Sequence, residues 1–326
     1  MLITGGAGFI GSHLADLLLS RGDVVTVVDN LSTGRRANLP AAHERLRFIE
    51  ADLKDALAAF GRGEVFDEVY HLAAAVGVKL VLEDPIRAIE TNIEQASALL
   101  HFAVRRGGEG CRVLMASSSE VYGKSNHSPF SEEDDVVYGP TTVSRWSYAC
   151  SKAVDEYLSL AFHRQHGLGV VVARFFNTVG PRQVGEYGMV LPRFVRSAVE
   201  GKPIQVYGDG MQSRCFCDVR DVVRALPRLL ADKECSGRIF NVGSDRAIRI
   251  LELARLVVSR VGSASEIELV PYSAAYAKGF EDLQQRKPDL ARIRKAIGFA
   301  PTIELERTID DLADEVRRGG MGSNGG

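Results

Sequence analysis

Over the first 175 or so residues, short apolar runs alternate with longer amphipathic ones. The runs at 24–28, 47–50, 68–71, 113–116 and 170–173 are rich in β-branched residues and read as strands. Between them, 11–20 and 86–105 carry apolar residues at helical spacing. Strands that are apolar throughout, separated by helices, imply a parallel sheet covered on both faces, with right-handed crossovers. After about Asn177 the loops lengthen, and Gly180-Pro181, Gly201-Lys202-Pro203 and Gly208-Asp209-Gly210 break the pattern. Helical patterns follow at 191–200, 219–231 and 250–261. The expected fold class is α/β: a doubly wound parallel sheet over 1–176, then a smaller α+β lobe over 177–318. Some later segments are expected to return to the main sheet. Residues 319–326, mostly glycine, are expected to form a flexible tail.

Charge narrows the partners. Forty basic and 42 acidic residues leave a net charge of -2, so no cationic excess exists to neutralise a nucleic-acid backbone. No apolar run reaches the roughly 18 residues of a membrane span, and the opening Met1-Leu2-Ile3-Thr4 shows no charged region followed by an apolar one, so no signal peptide is expected. The five cysteines have no metal-type spacing; Cys215 and Cys217 lie in a strand-like run. They are expected to be reduced core thiols of a cytoplasmic protein without a bound metal.

The first chemistry lies at the N-terminus. The strand stub Leu2-Ile3-Thr4 runs into Gly5-Gly6-Ala7-Gly8-Phe9-Ile10-Gly11, and a helical pattern follows. This is Gly-x-x-Gly-x-x-Gly. Glycines there permit a tight turn and let backbone N–H groups approach a pyrophosphate at the helix N-terminus. Three glycines alone mark only a turn; the flanking strand and helix make this one a dinucleotide loop of Rossmann-like type. Asp29 ends the next strand, 18 residues after Gly11. A carboxylate there bonds both adenosine ribose hydroxyls and repels a 2′-phosphate, which favours NAD over NADP. Arg35 and Arg36 stand close by and pull the other way. Asp52 and Leu53 follow the third strand, where the adenine edge is expected.

The second chemistry is Tyr148-x-x-x-Lys152, which places both side chains on one helix face. A tyrosine acting as a base must lose its proton near neutral pH. Bringing it from about 10 to about 7 requires roughly 4 kcal/mol. An ammonium about 4 Å away supplies about that much at an effective dielectric of about 20, and a nicotinamide cation adds to it. Ser117-Ser118-Ser119-Glu120 follows the strand ending at Ala116, and ligands of open α/β sheets sit at such strand ends. Ser118, with Ser119 next to it, can hydrogen-bond a sugar hydroxyl while Tyr148 takes its proton.

These motifs together resemble the extended short-chain dehydrogenase/reductase superfamily, in its nucleotide-sugar epimerase, dehydratase and decarboxylase branch. The resemblance rests on Thr4 to Gly11, His71-Leu72-Ala73-Ala74, Ser118-Ser119-Glu120-Val121-Tyr122-Gly123, the Tyr148/Lys152 pair and Asn177-Thr178-Val179-Gly180-Pro181-Arg182. It implies a tightly held NAD, oxidation of the sugar at C4, and a UDP- or dTDP-sugar in the C-terminal lobe. It also implies a homodimer through a four-helix bundle built on helices near 92–106 and 148–165. Cofactor contacts are implied for Phe9, Ile10, Asn30, Ser32, Thr33, Gly34, Leu72, Ala73, Ala74 and Asn92. Loss of activity in this fold usually erases the Tyr/Lys pair, which is intact here.

The reaction is left between three outcomes. Epimerisation at C4 needs no further acid or base. Elimination of water usually employs an Asp-Glu pair, and Ser119 replaces its aspartate. Decarboxylation follows when C6 is a carboxylate β to the C4 ketone. The Ser-Glu-Val-Tyr-Gly run is similar to that of UDP-glucuronate decarboxylases. So are Ser144-Arg145-Trp146-Ser147-Tyr148, the segment 214–221 and the segment 276–288, which also resemble the decarboxylase domain of the enzyme that begins aminoarabinose synthesis for lipid A. Phe280 departs from that enzyme's tyrosine. UDP-glucuronate decarboxylation to a UDP-pentose is therefore the expected activity, with 4-epimerisation of UDP-glucuronate or UDP-glucose as the alternative. Arg214 and Arg286 suit a diphosphate, since guanidinium forks match phosphate oxygens; Arg286 alternatively reaches C5 and C6. Asn177 is expected to bond a phosphate or sugar hydroxyl, Gln205 and Tyr207 to line the uridine slot beside Leu191, and Arg182 to lie near the sugar carboxylate. Trp146 is assigned to packing.

Overall fold

A computed structural model describes residues 1–61, 63–74, 84–106, 110–125, 127–185, 189–271 and 285–319. Seven strands form one parallel sheet: β1 (Leu2–Thr4), β2 (Val25–Asp29), β3 (Leu46–Glu50), β4 (Glu68–His71), β5 (Arg112–Ser118), β6 (Gly169–Phe175) and β11 (Arg238–Val242). Their order is β11-β6-β5-β4-β1-β2-β3. The chain winds outward from β1 to β3 and then returns to β4 on the other side of β1. That reversal is the topological switch point, where the crevice for a ligand opens above the strand ends.

Successive residues point to opposite faces, and both faces are apolar. Ile3, Val27, Tyr70, Leu114, Val171 and Phe240 pack with α1 (Phe9–Ser20) and, from the second half of the chain, α6 (Val219–Ala231) and α8 (Ala291–Ile297). Leu2, Val28, Val69, Val113, Met115 and Val172 face the other layer, from α2 (Leu53–Ala59), α3 (Pro85–Arg106) and α4 (Arg145–His166). The strand expected at 24–28 runs one residue later, because Val24 faces solvent while Asp29 still pairs with Glu50.

A second core holds the C-terminal lobe. Leu191, Phe194 and Val195 of α5 (Val190–Val199) meet Leu253 and Val257 of α7 (Ile250–Val261) and Ile309 and Leu312 of α9 (Leu305–Arg317). β8 (Ile204–Tyr207) pairs in parallel with β13 (Ile267–Val270) beside this core. A three-stranded sheet orders β12 (Ala247–Arg249), β9 (Ser213–Cys215) and β14 (Gln285–Arg286), and β7 (Thr178–Val179) pairs with β10 (Cys217–Asp218). Strand β11 and helices α6 and α8 thus serve the first core although they follow residue 177 in the chain. The tail at 320–326 and the decarboxylase-like stretch at 276–284, with Phe280, lie outside the described residues.

Candidate active site

A cleft of about 1050 Å³ runs from the glycine loop, over the C-terminal ends of β1, β4, β5 and β6, to the C-terminal lobe. At one end the loop fits a pyrophosphate. A Cβ on Gly5 would lie 2.8 Å from the backbone of Ala73, and one on Gly11 would lie 2.2 Å from the carbonyl of Gly5. Only glycine permits this turn, which is further tightened by the positive φ of Gly5, 69°. No side chain caps α1 at Gly8 and no acidic residue occupies its first turn. The first-turn N–H groups therefore face the cleft with the positive end of the helix dipole, the arrangement an anion uses.

Asp29 ends β2 with its carboxylate accepting from the N–H groups of Ala7 and Leu31, both at 2.9 Å. Gly34 is not on the cleft wall but crosses over Asp29, where a Cβ would sit 2.9 Å from both carboxylate oxygens. Asn30 donates to Asp52 at 2.7 Å. Asn30, Ser32, Thr33, Asp52 and Leu53 line this end, and Phe9, Ile10, Leu72, Ala73 and Ala74 line the middle. Asn92 is buried on α3 and donates to Ser151 at 3.3 Å, so it joins α3 to α4 rather than forming the wall.

At the centre, Ser118, Glu120, Tyr148 and Lys152 share the same wall. Ser118 ends β5, accepts from the Glu120 N–H at 3.2 Å, and hydrogen-bonds the Tyr148 phenol. Ser119 is buried in the turn that follows. Two buried devices hold that turn. Tyr122 stacks on Phe130 with ring centroids 4.7 Å apart and donates to Asn241 at 2.6 Å. Arg174 grips Glu156 through two bonds, at 2.9 and 2.7 Å, and Ser117 donates to the same carboxylate.

The electrostatics correct the expectation for Tyr148. Its phenol lies well above the ordinary tyrosine value: burial pushes it up, Glu120 and Asp155 add to this, and the Ser118 hydrogen bond opposes them. Lys152 is not committed to the phenol. Its ammonium donates to Asp155 at 2.8 Å, and both side chains are buried. Nearby His71, donor or acceptor to Thr4 at 2.8 Å, is pushed down to about 3 by burial and by Lys152, so its ring is neutral.

Glu120 shows the opposite balance. Burial raises its carboxyl, but Arg286, Arg145 and Arg214 outweigh that and hold it below the usual glutamate value. Arg286 bonds it directly, and Arg145 Nη2 stands 3.8 Å from its other oxygen. Arg286 and Arg214 are register partners on β14 and β9, so two arginines distant in sequence lie side by side. Asn177, Leu191 and Tyr207 also line the cleft.

Two expected contacts are displaced. Gln205 is exposed on β8, two residues before Tyr207, and is absent from the wall; Arg193 stacks instead on Tyr207, 4.2 Å above the ring centroid. Arg182 lines the cleft, but its guanidinium pairs with Asp16 at 2.7 Å. Arg145, Arg193 and Asp155 received no role from the sequence. Arg145 stands three residues before the tyrosine, a spacing visible in the sequence, but its burial is what marks it.

A glycine-cradled dinucleotide loop, a doubly wound sheet and a Tyr/Lys pair beside a serine define an oxidoreductase-type active site of the extended short-chain dehydrogenase/reductase class. The chain belongs to the NAD dependent epimerase/dehydratase family, whose profile matches residues 1–243. It is 41% identical, over 97% of both chains, to the UDP-N-acetyl-alpha-D-glucosaminuronate decarboxylase of Bacillus cytotoxicus. It is 37% identical to UDP-glucuronic acid decarboxylase 1 of Xenopus tropicalis, over 98% of this chain and 72% of that one. Among solved structures it resembles a UDP-glucose 4-epimerase with UDP-glucose from Thermotoga maritima, with a TM-score of 0.86 and 29% identity over 97% and 98% of the two chains. A dTDP-glucose 4,6-dehydratase from Streptomyces venezuelae with NAD bound gives a TM-score of 0.85 and 30% identity over 98% and 97%. Among the described residues, no helix is long and apolar enough to cross a membrane.

Proposed function

We propose that this enzyme decarboxylates a UDP-hexuronate at the expense of no net redox change, using bound NAD. The observation that carries the reading is Glu120: a carboxylate placed in the cleft beside Tyr148 and kept ionised by arginines. A simple C4 epimerase has no task for that group. The two decarboxylase relatives, one acting by name on the N-acetylglucosaminuronate sugar and one on glucuronic acid, support it.

Gly5, Gly8 and Gly11 hold the pyrophosphate, and Asp29 the adenosine ribose. When bound, NAD supplies the hydride acceptor for C4 and later the donor. Tyr148 takes the C4 hydroxyl proton while Ser118 orients that hydroxyl. Lys152, held by Asp155, would turn toward the phenol, and a bound nicotinamide ring would add its positive charge to the same field. With C4 at the ketone level, the carboxylate at C6 lies β to a carbonyl. Its C5–C6 bond breaks, CO2 leaves, and the electron pair rests in the C4–C5 enolate. Glu120 destabilises the neighbouring substrate carboxylate and orients the water that returns a proton to C5. Arg214 and Arg286 bind the diphosphate, with Asn177, Leu191 and Tyr207 beside the nucleotide.

The wider setting is also proposed: a homodimer through α3 and α4, which pack side by side, in the cytoplasm, with residues up to 176 as the NAD-binding part. C4 epimerisation is the second reading, favoured by the epimerase with UDP-glucose among the structural neighbours. One incubation separates them. NAD-loaded protein is given UDP-glucuronate or its 2-acetamido counterpart, and CO2 and UDP-pentose are measured against the C4 epimer. Epimer without CO2 sinks the decarboxylase reading.

A further inference from the structure

We propose that Arg182 is a positioning residue: it seats the cleft wall that begins at Asn177 against the cofactor helix α1, so that the nucleotide-sugar end of the cleft is assembled across the seam between the two parts of the chain. The inference rests on the reading that Asn177 touches the nucleotide sugar.

Arg182 holds a backbone conformation that its residue type does not favour. Its φ is 67°, in the left-handed region. Among the described residues, the one other non-glycine residue there is Leu31, which lies at the cofactor rim and donates its N–H to Asp29. A residue in a sparsely populated region persists where its surroundings over-determine it, and such residues collect at ligand sites. For Arg182 the surroundings are two carboxylates from opposite ends of the chain.

The first is Glu315, near the end of α9. Both of its oxygens accept from the Arg182 backbone N–H, at 3.0 and 2.9 Å. The second is Asp16 on α1, which accepts from Nη2 of Arg182 at 2.7 Å. Asp16 stands about two turns beyond Gly8, where the same helix opens on the pyrophosphate site. The backbone of Arg182 is thus held by the C-terminal lobe, and its side chain by the cofactor helix.

Arg182 is the staple of its stretch. From Gly180 to Gly185, the hydrogen bonds that reach beyond residues 177–185 are, among the described residues, those of Arg182. Gln183 instead closes the turn on itself, donating to the carbonyls of Gly180 and Thr178 at 3.3 and 3.0 Å. Asn177, Thr178, Val179, Arg182, Gln183 and Val184 all line the cleft. When Arg182 leaves its two carboxylates, this wall loses its hold on both parts of the chain.

The position of the wall sets which constant responds. A ligand that meets only the seated wall loses affinity in proportion to the unseated fraction. Tyr148, Lys152 and Ser118 stand on α4 and β5, and the glycine loop precedes α1, so neither the reacting groups nor the pyrophosphate site belongs to this wall. Arg182 therefore acts on KM more than on kcat or cofactor retention. The two holds differ in weight. Arg182 and Asp16 are 29% and 41% exposed, so water screens their pair, which is worth at most about fivefold. The bond from a backbone N–H to a carboxylate is charge-assisted and worth about tenfold or more.

The test titrates NAD-loaded protein with UDP-glucuronate by calorimetry and follows its turnover for kcat and KM. Asp16→Ala should raise Kd and KM about two- to fivefold, with NAD retained, the melting temperature near wild type and kcat within about twofold. Glu315→Ala should raise both constants about tenfold. Asp16→Arg and Arg182→Asp should each weaken binding more than Asp16→Ala, since each sets like charges together. The double variant should return Kd to within about twofold of wild type, because the pair re-forms with its charges exchanged. Unchanged Kd and KM in all four single variants overturn the inference. So does weakening that follows a falling melting temperature, with NAD and UDP-glucuronate lost together, which marks a merely structural tie. Asn177→Ala in otherwise wild-type protein checks the underlying reading: if Kd and KM do not move, the wall does not touch the nucleotide sugar, and that reading falls whatever the other variants do.

Discussion

Lys152 and Asp155 form a buried ion pair, with the ammonium donating at 2.8 Å. The second carboxylate oxygen of Asp155 has no hydrogen-bond partner among the described residues, and burial pushes its carboxyl upward against the pull of Lys152. The lysine expected to lower the Tyr148 phenol is therefore shared with a carboxylate that raises it. In the proposed mechanism Tyr148 is the base, and Asp155 is one of the groups that oppose its ionisation.

Replacing Asp155 by Asn should shift that balance. One negative charge near Tyr148 disappears, so the phenol ionises at lower pH. The rising limb of kcat/KM against pH should move toward acid, while a melting curve reports the loss of a buried pair, about 3–5 kcal/mol. An unchanged limb in folded protein would show that Asp155 does not tune the base.

Tyr148→Phe keeps the ring and removes the proton acceptor. Turnover should fall by roughly 10²–10⁴ while NAD remains bound. The check is single-turnover NADH absorbance after UDP-glucuronate is added; more than about a tenth of wild-type rate takes Tyr148 out of the base role.

NAD should co-purify with the protein, and Asp29→Ala should loosen it. The same carboxylate braces Ala7 and Leu31, a non-glycine residue at positive φ of 58°, so the loop should loosen as well. Release of NADP rather than NAD on denaturation would reverse the reading of Asp29.

Much of this was readable from the chain because it is local. The glycine loop, the Tyr148/Lys152 spacing and the apolar strands each specify their own geometry within a few residues. Asp155 and Arg145 were equally local, one turn from the pair on either side, but carboxylate and guanidinium at helical spacing are common on surfaces, and only burial marks these two. Gln205 and Arg182 are displaced for a different reason. Gln205 and Tyr207 share one face of β8, and only Tyr207, at the strand's end, reaches the cleft, while the guanidinium of Arg182 pairs with Asp16, 166 residues away. The pairing of β14 with β9 that joins Arg286 to Arg214 has no signature in either segment.

Glu156→Ala should unfold the site without touching a ligand. Arg174 would lose both charged bonds in a buried setting, and Ser117 its acceptor. Removing one partner of such a pair costs about 3–5 kcal/mol. Urea titration is the measurement; a loss under about 1 kcal/mol would mean water or a neighbour satisfies Arg174.

Glu120→Ala separates oxidation from carbon–carbon cleavage. Arg286, Arg145 and Arg214 hold the Glu120 carboxyl below its usual value against the upward push of burial. Its pairing energy is thus fully present above the ordinary glutamate value and is lost only as pH falls through the lower folded value. Glu120 should stay ionised across the neutral and mildly acidic range, so the pH dependence of CO2 release there belongs to Tyr148. Without the carboxylate, CO2 release should fall by roughly 10²-fold or more, within the range for positioned acid–base groups. UDP should bind no more weakly, because Arg286 loses an internal competitor for the diphosphate. C4 oxidation should persist, so NADH and a keto sugar that retains its carboxylate accumulate. Mass spectrometry of the quenched mixture detects that sugar. If wild-type protein instead interconverts C4 epimers without CO2 and Glu120→Ala is nearly neutral, Glu120 merely braces its turn through Arg286, and epimerisation is the reaction.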